Sequence, residues 1–290
     1  MTVRVAFAGL NGELVVELAD GVGPGPVADA CRLLLPGWGH GPAADAAPVD
    51  IAITATPGGY EIAARSWPGG AATASDANNL ANALGGLLID ALLARHPSLC
   101  CLHAAAVTFA GSVILCVGRS GAGKSTLALR FAARGHTIFG DDRVLVETDT
   151  HTALSLGLAA KARLPLPPGD GLVGFAEARM ALTDGGVGYL HLKPGEQAPF
   201  GRRAPIGAIV LVERDAQFAK PVEFLPLSAG PLAAGLIGEA TAPGAAASVV
   251  AAVTRLARVA DGRRLRYRDG DRAVDAMLRE LALSCTNMVT

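Results

Sequence analysis

The residues best able to do chemistry stand in one run, Gly118-Arg119-Ser120-Gly121-Ala122-Gly123-Lys124-Ser125-Thr126. It fits the pattern G-x-x-x-x-G-K-[ST], in which each residue type has a physical task. Glycines let successive backbone N–H groups turn inward as a nest for anions. A helix that follows aims the positive end of its dipole at the same point. Lys124 can reach the β- and γ-phosphates of a nucleotide, and the Ser125 hydroxyl is placed to ligate Mg2+. The pattern predicts that Gly118, Ser120, Gly121, Ala122, Gly123, Lys124, Ser125 and Thr126 hold ATP with magnesium. Further along come Asp141 and Asp142, 17 and 18 residues past Lys124. Adjacent carboxylates permit a division of labour, one facing the metal and the other taking a proton from an acceptor. The plainer alternative is that they open a turn.

The elements needed to position these groups are legible around them. Val113–Val117 reads as a strand before the glycine run, and Leu127–Arg134 as a helix after it. Thr137–Phe139 and Arg143–Glu147 read as short strands on either side of the two acids, an α/β order. Leu99–Phe109 reads as one strand carrying His103. An imidazole there is either a hydrogen-bonded core residue or part of the site. Lys161 and Arg163 follow the expected strand His151–Leu156 and could return to the phosphates, and Arg202 and Arg203 before Ile206–Val212 could approach from the other side. Each has the alternative of a solvated loop charge. Leu164–Ala198 is rich in Gly and Pro and reads as long loops around a strand at Val187–Leu192. Helices are expected at Ala229–Ile237, Ala245–Ala257 and Asp271–Leu283, with Leu265–Tyr267 as a late edge strand.

Upstream, Val3–Gly9 and Glu13–Leu18 read as a hairpin through Asn11-Gly12. Val49–Thr56 and Tyr60–Trp67 read as a second strand pair, Val27–Leu35 as a short helix, and Asp76–Arg95 as an amphipathic one. The expected division is a small N-terminal α+β domain over residues 1–95 and a catalytic domain over 96–290.

Composition excludes several classes. The chain has 290 residues, 25 basic against 26 acidic, for a net charge of −1. That balance argues against coating nucleic acid, which needs a concentrated positive field. Mean hydropathy is +0.38, yet no apolar run reaches the roughly 18 residues of a spanning helix. No export leader is evident, and the five cysteines, Cys31, Cys100, Cys101, Cys116 and Cys285, lack C-x-x-C spacing, so a reducing cytoplasm is expected.

Three positions in register resemble the kinase domain of the HPr kinase/phosphorylases: His103, 15 residues before Gly118; the loop GRSGAGKS; and RGHTIFGDD ending on Asp141 and Asp142. The resemblance covers residues 99–150 well and the remainder to 283 loosely. It implies an α/β P-loop kinase core of the HPr-kinase type that transfers the γ-phosphoryl of ATP to a serine. Lys124 would grip phosphate, Asp141 would be the base with His103 beside it, and Ser125 and Asp142 would form the metal site. The family's downstream Glu-x-Arg-Gly-x-Gly is absent; the stretch reads HTALSLGLAAKARLPLPP, which removes a second metal-binding Glu and argues against the reverse, phosphorolytic reaction. The layout is similar to the shorter HPr-kinase-related proteins, some of which phosphorylate a serine of a ribosomal precursor peptide, as in lasso-peptide tailoring. The implied partner is a small protein or peptide, with homo-oligomers as in the family, no nucleic acid and no membrane. Two other readings stay open: an ATP-binding regulatory module without efficient transfer, and a kinase for free serine.

Overall fold

A computed structural model of the chain describes residues 2–44, 46–67, 70–167, 171–242 and 246–287. The chain divides into two units, Met1–Pro97 and Ser98–Thr290. The first comprises β1 (Val3–Ala8), β2 (Glu13–Leu18), α1 (Pro24–Leu34), β3 (His40–Pro42), β4 (Ile51–Thr56), β5 (Gly59–Ala64), β6 (Ala71–Ala74) and α2 (Ala77–Arg95). Its six-stranded sheet runs β3-β1-β2-β4-β5-β6, antiparallel except where β2 pairs with β4. The Asn11-Gly12 hairpin is present, with Gly12 at φ 126°. The helix α2 starts at Asp76, whose carboxylate accepts the Asn78 and Asn79 N–H groups at 2.9 Å. It buries Leu80, Leu84, Leu88 and Leu92 and packs against α1, β5 and β6.

The second unit continues with β7 (Leu99–Leu102), β8 (Ala104–Phe109), β9 (Ser112–Val117), α3 (Lys124–Ala133), β10 (Ile138–Gly140), β11 (Val144–Glu147), β12 (Thr152–Leu154) and β13 (Ala160–Arg163). There follow α4 (Leu172–Glu177), β14 (Met180–Asp184), β15 (Val187–Leu190), β16 (Arg203–Arg214), β17 (Val222–Pro226), α5 (Ala229–Ile237) and β18 (Ala240–Thr241). The chain closes with α6 (Ala246–Val259), β19 (Asp261–Tyr267) and α7 (Gly270–Asn287). The main sheet runs β10-β8-β9-β16-β12-β11-β7-β18, with β19 also on β16 and β17 on β19.

At its centre β9, β16 and β19 are parallel. β9 and the middle of β16, from Ala208 to Val212, are largely buried on both faces and read as continuous apolar runs, whereas β19 buries Leu265 and Tyr267 and carries Arg264 and Arg266 on its other face. Alternation sends Ile114 and Cys116 to the face that holds Leu127 and Phe131 of α3 and Val274 and Met277 of α7. It sends Val113, Leu115 and Val117 to the other face, with Leu232 and Leu236 of α5 and Val253 and Leu256 of α6. The result is a mixed α/β unit with helices on both sides of the sheet.

Three expectations need correction. Leu99–Phe109 is two strands, not one: the ladder breaks at His103, with β7 on β11 and β18 and β8 on β9 and β10. The region 164–198 holds the expected strand as β15 among its loops, but it also carries the unexpected α4 and β14, and β13, β15 and β14 form a separate antiparallel sheet. Its β14–β15 turn is Gly185-Gly186, both at positive φ, a glycine pair that suits a tight hairpin. And β19 is an internal strand, covered on its outer side by the unexpected β17. Ala245, the expected start of α6, lies outside the described residues.

Cys31, Cys100, Cys101 and Cys116 are buried free thiols; the Cys285 side chain lies outside the described residues. Among those residues no helix is long and apolar enough to cross a membrane.

Candidate active site

The C-terminal ends of the three parallel strands meet at the glycine loop. In open α/β sheets that end is where ligands bind. β9 delivers Gly118, β16 delivers Arg214, and β19 delivers Tyr267. The loop turns into α3 at Gly123, whose φ of 92° is left-handed, and a β-carbon there would collide with the Tyr267 hydroxyl. Glycine is therefore required at this position by backbone and neighbour alike. The Tyr267 hydroxyl donates to the Ala122 carbonyl at 3.1 Å, and burial pushes its pKa up to about 12.

Lys124 is only 6% exposed. Its ammonium donates to the Gly118 carbonyl and to the Arg119 carbonyl at 3.3 Å. Burial lowers its pKa, against the pull of Glu239, Asp141 and Asp142.

A cavity of about 280 Å³ lies over the loop, with Ser120, Lys124, Ser125, Lys161, Arg163 and Arg214 in its walls. Arg163 and Arg214 have no ion-pair partner among the described residues, whereas Arg130, Arg134, Arg179, Arg203 and Arg266 are all paired with carboxylates. Unneutralised cations concentrated around one loop focus a field suited to a polyanion.

The two acids lie just beyond β10, and they are not equivalent. Asp141 is 2% exposed. One oxygen accepts the Lys161 N–H at 2.8 Å, while Oδ1 is buried without a hydrogen-bond partner. Burial raises its pKa, offset in part by the Lys161 N–H and the neighbouring Ser125 hydroxyl. Asp142 takes a left-handed φ of 67°, which turns its carboxylate into the cavity. Its Oδ2 meets the Lys161 ammonium at 2.9 Å, and its Oδ1 lies 3.7 Å from His103 Nε2. Burial would raise the Asp142 pKa, but Lys161, His103 and Arg143 outweigh it and hold it below the ordinary value.

His103 sits at the break between β7 and β8. Its N–H donates to the Glu239 carbonyl at 2.7 Å, and its ring Nδ1 is 2.8 Å from Glu239 Oε2. A carboxylate on one ring nitrogen fixes the ring's orientation and presents the other nitrogen to its neighbour, here Asp142.

The fold thus brings together Lys124, Ser125, Thr126, His103, Asp142, Lys161 and Arg163 on one cavity, with Ser120, Gly121 and Gly123, and Asp141 directly behind it. It does not bring Arg202 or Arg203. Arg203 begins β16, about 30 Å along the strand from the loop end, and is paired with Glu147 at 2.8 Å. The Arg202 carbonyl accepts the Ser155 N–H. An expected role for either at the phosphates is corrected on that ground, because β9 and β16 are parallel and only the far end of β16 lies beside Gly118.

Glu239, Arg214 and Tyr267 are site residues that sequence reasoning missed. Arg214 had a usable signal, since it ends a central apolar strand. Glu239 had none, because its place depends on β18 pairing with β7.

No group of three or more His, Cys, Asp or Glu side chains arranged to hold a metal occurs among the described residues. A protein-built cage is not what Mg2+ requires; one or two protein oxygens with phosphates suffice. The orphaned Asp141 oxygen beside Ser125 fits that donor set.

No model of a known protein family matches the chain, and no curated protein matches it. Among solved structures, one match is the Hpr(Ser) kinase/phosphatase from Coxiella burnetii, 11% identical, covering 64% of this chain and 98% of that one, with a TM-score of 0.32.

Proposed function

We propose that this chain is a magnesium-dependent phosphotransferase that moves the γ-phosphoryl group of ATP to a hydroxyl. The observation that carries this reading is the placement of Asp142 and His103 in the wall of a cation-lined phosphate cavity. In that place a carboxylate meets the far side of a transferring phosphoryl.

Phosphoryl transfer asks mainly for positioning and charge neutralisation. The loop N–H groups and Lys124 hold the phosphates, with Arg163 and Arg214 on either side. A second cavity of about 570 Å³ shares Gly123, Thr126 and Arg214 with the first and is walled by Tyr267, Arg268 and Asp269; it takes the nucleoside end. Asp141 and Ser125 would hold Mg2+, which when bound neutralises phosphate charge. Asp142 and His103 orient the acceptor hydroxyl, and Asp142 takes its proton as the oxygen bonds to phosphorus and the bond to the departing ADP breaks. Lys161 keeps Asp142 ionised until the hydroxyl arrives.

This assignment inverts the one implied by the resemblance, in which Asp141 is the base and Asp142 the metal ligand. A buried carboxylate facing Ser125 cannot meet an acceptor, whereas Asp142 opens into the cavity. The acceptor proposed on the resemblance is a serine of a small protein or a ribosomal precursor peptide of the lasso type.

Calorimetric titration with ATP, with and without Mg2+, tests binding, and γ-labelled ATP tests transfer. Tight binding with label appearing on an acceptor supports the reading. Binding without transfer to any hydroxyl would make the protein a nucleotide sensor instead.

A further inference from the structure

We propose that a third cavity, on the far side of His103 and Asp142, is the acceptor site, and that it takes an extended peptide whose hydroxyl residue is flanked by a carboxylate. The inference rests on the transferase reading above and adds the substrate's place and chemistry.

This cavity, of about 290 Å³, is walled by Cys101, His103, Asp142, Arg143, Glu239 and Thr241. The only residues it shares with the phosphate cavity are His103 and Asp142. Three cavities therefore lie in series, each sharing residues with the next: nucleoside, phosphates, then this one. In-line transfer needs the attacking oxygen opposite the leaving oxygen. A nucleotide lying along the first two cavities points its terminal phosphate at His103 and Asp142, so the attacking oxygen enters from the third.

Two features identify what enters. The first is a free strand edge. Among the described residues β18 ends the main sheet and pairs only with β7. In its register Ala240 faces Leu102 and Thr241 faces Cys101, and the His103 N–H bonds to the Glu239 carbonyl. Residues of an antiparallel strand alternate between bonding to the partner and facing away. Since Glu239 bonds inward, Ala240 directs its N–H and C=O outward, at the rim of the cavity. An extended chain is recognised by such main-chain groups.

The second feature is charge. Arg143 has no ion-pair partner among the described residues, while both carboxylates of the cavity wall are engaged, Asp142 by Lys161 and Glu239 by His103. The cavity thus offers an unpaired cation to a carboxylate, while each of its own carboxylates is already hydrogen-bonded to a neighbouring side chain. Free serine would bring an ammonium against carboxylates that are already hydrogen-bonded; a peptide carries none at that point.

The test uses the full chain with Mg2+ and γ-labelled ATP. The acceptors are synthetic peptides with one central serine flanked by Asp and Glu, the same peptides flanked by Lys, and free L-serine. The acid-flanked peptides are expected to exceed the lysine-flanked ones at least tenfold in kcat/KM, and Arg143→Glu is expected to reverse that order. Ala240→Pro, which removes the outward N–H, is expected to raise peptide KM at least tenfold; Thr241→Trp, which narrows the cavity, should do the same if the proline variant misfolds. Preference for L-serine, or an unchanged order in Arg143→Glu, overturns the acceptor assignment while leaving the transferase reading intact. Failure to label any acceptor while ATP still binds overturns both.

Discussion

Asp141→Asn separates the roles proposed for the two acids most sharply, because it should stabilise the protein while disabling it. The wild-type carboxylate is buried with Oδ1 unpartnered. Leaving a buried acceptor unsatisfied costs roughly 1–3 kcal/mol, and more when the group is charged. Asparagine keeps an oxygen for the Lys161 N–H and places a neutral amide near the Ser125 hydroxyl, so a gain of about 1–2 kcal/mol is expected without metal. For a unit of this size 1 kcal/mol moves Tm by about 2–4 °C, which puts the rise at about 2–8 °C.

The pH dependence has a definite sign. The folded-state pKa of Asp141 lies above its ordinary value of 3.8, so the fold disfavours the ionised form. Wild-type stability is therefore reduced at pH values above the folded pKa, and the reduction is relieved as pH falls through it toward 3.8. The advantage of the variant is full at neutral pH and disappears in acid. Thermal melts in EDTA across pH read this directly, and the same melts with Mg2+ and ATP should stabilise wild type by more than the variant. A lower Tm for Asp141→Asn in EDTA, or an undiminished magnesium-dependent shift, would refute the reasoning.

Other expectations follow from the same geometry. Gly123→Ala places a β-carbon against the Tyr267 hydroxyl on a left-handed backbone, so ATP affinity should fall more than tenfold in calorimetry, with the fold judged intact by circular dichroism. Tyr267→Phe removes the bond to the Ala122 carbonyl, a loss of about 0.5–1.5 kcal/mol, and should weaken ATP binding about 2- to 10-fold. Glu239→Gln should lower kcat roughly tenfold at unchanged KM for ATP; in a double-mutant cycle with His103→Ala the two losses should not add, as coupled residues do not.

Much of the site could be read before any fold was known, because its signals are local. The glycine loop demands particular residues over a few consecutive positions, and the flanking apolar run and helix fall where the loop needs them. Lys161 is expected near the glycine loop from its distance past a strand, and it lines the cavity over that loop. What escaped was set by pairing between distant segments. The break at His103 cannot be seen in the apolar string Leu99–Phe109, since both halves look like strand; it arises because β7 and β8 join different neighbours. Glu239 reaches the site only through β18. Arg203 was misjudged because its end of β16 depends on that strand running parallel to β9. The order of the two acids also needed the fold, since only the left-handed turn at Asp142 reveals which carboxylate faces the cavity.

The central claim is that Asp142 acts on the acceptor from within a nucleotide site it does not build. Single-turnover transfer from γ-labelled ATP, measured on Asp142→Asn beside wild type together with the Kd for ATP, tests it most directly. Asparagine tolerates the left-handed backbone at this position, so the fold is preserved. Transfer should fall on the order of 10²–10⁴-fold, the usual worth of a positioned proton acceptor, with ATP Kd within about threefold of wild type. Transfer at the wild-type rate, or loss of ATP binding in parallel with loss of transfer, would contradict the account.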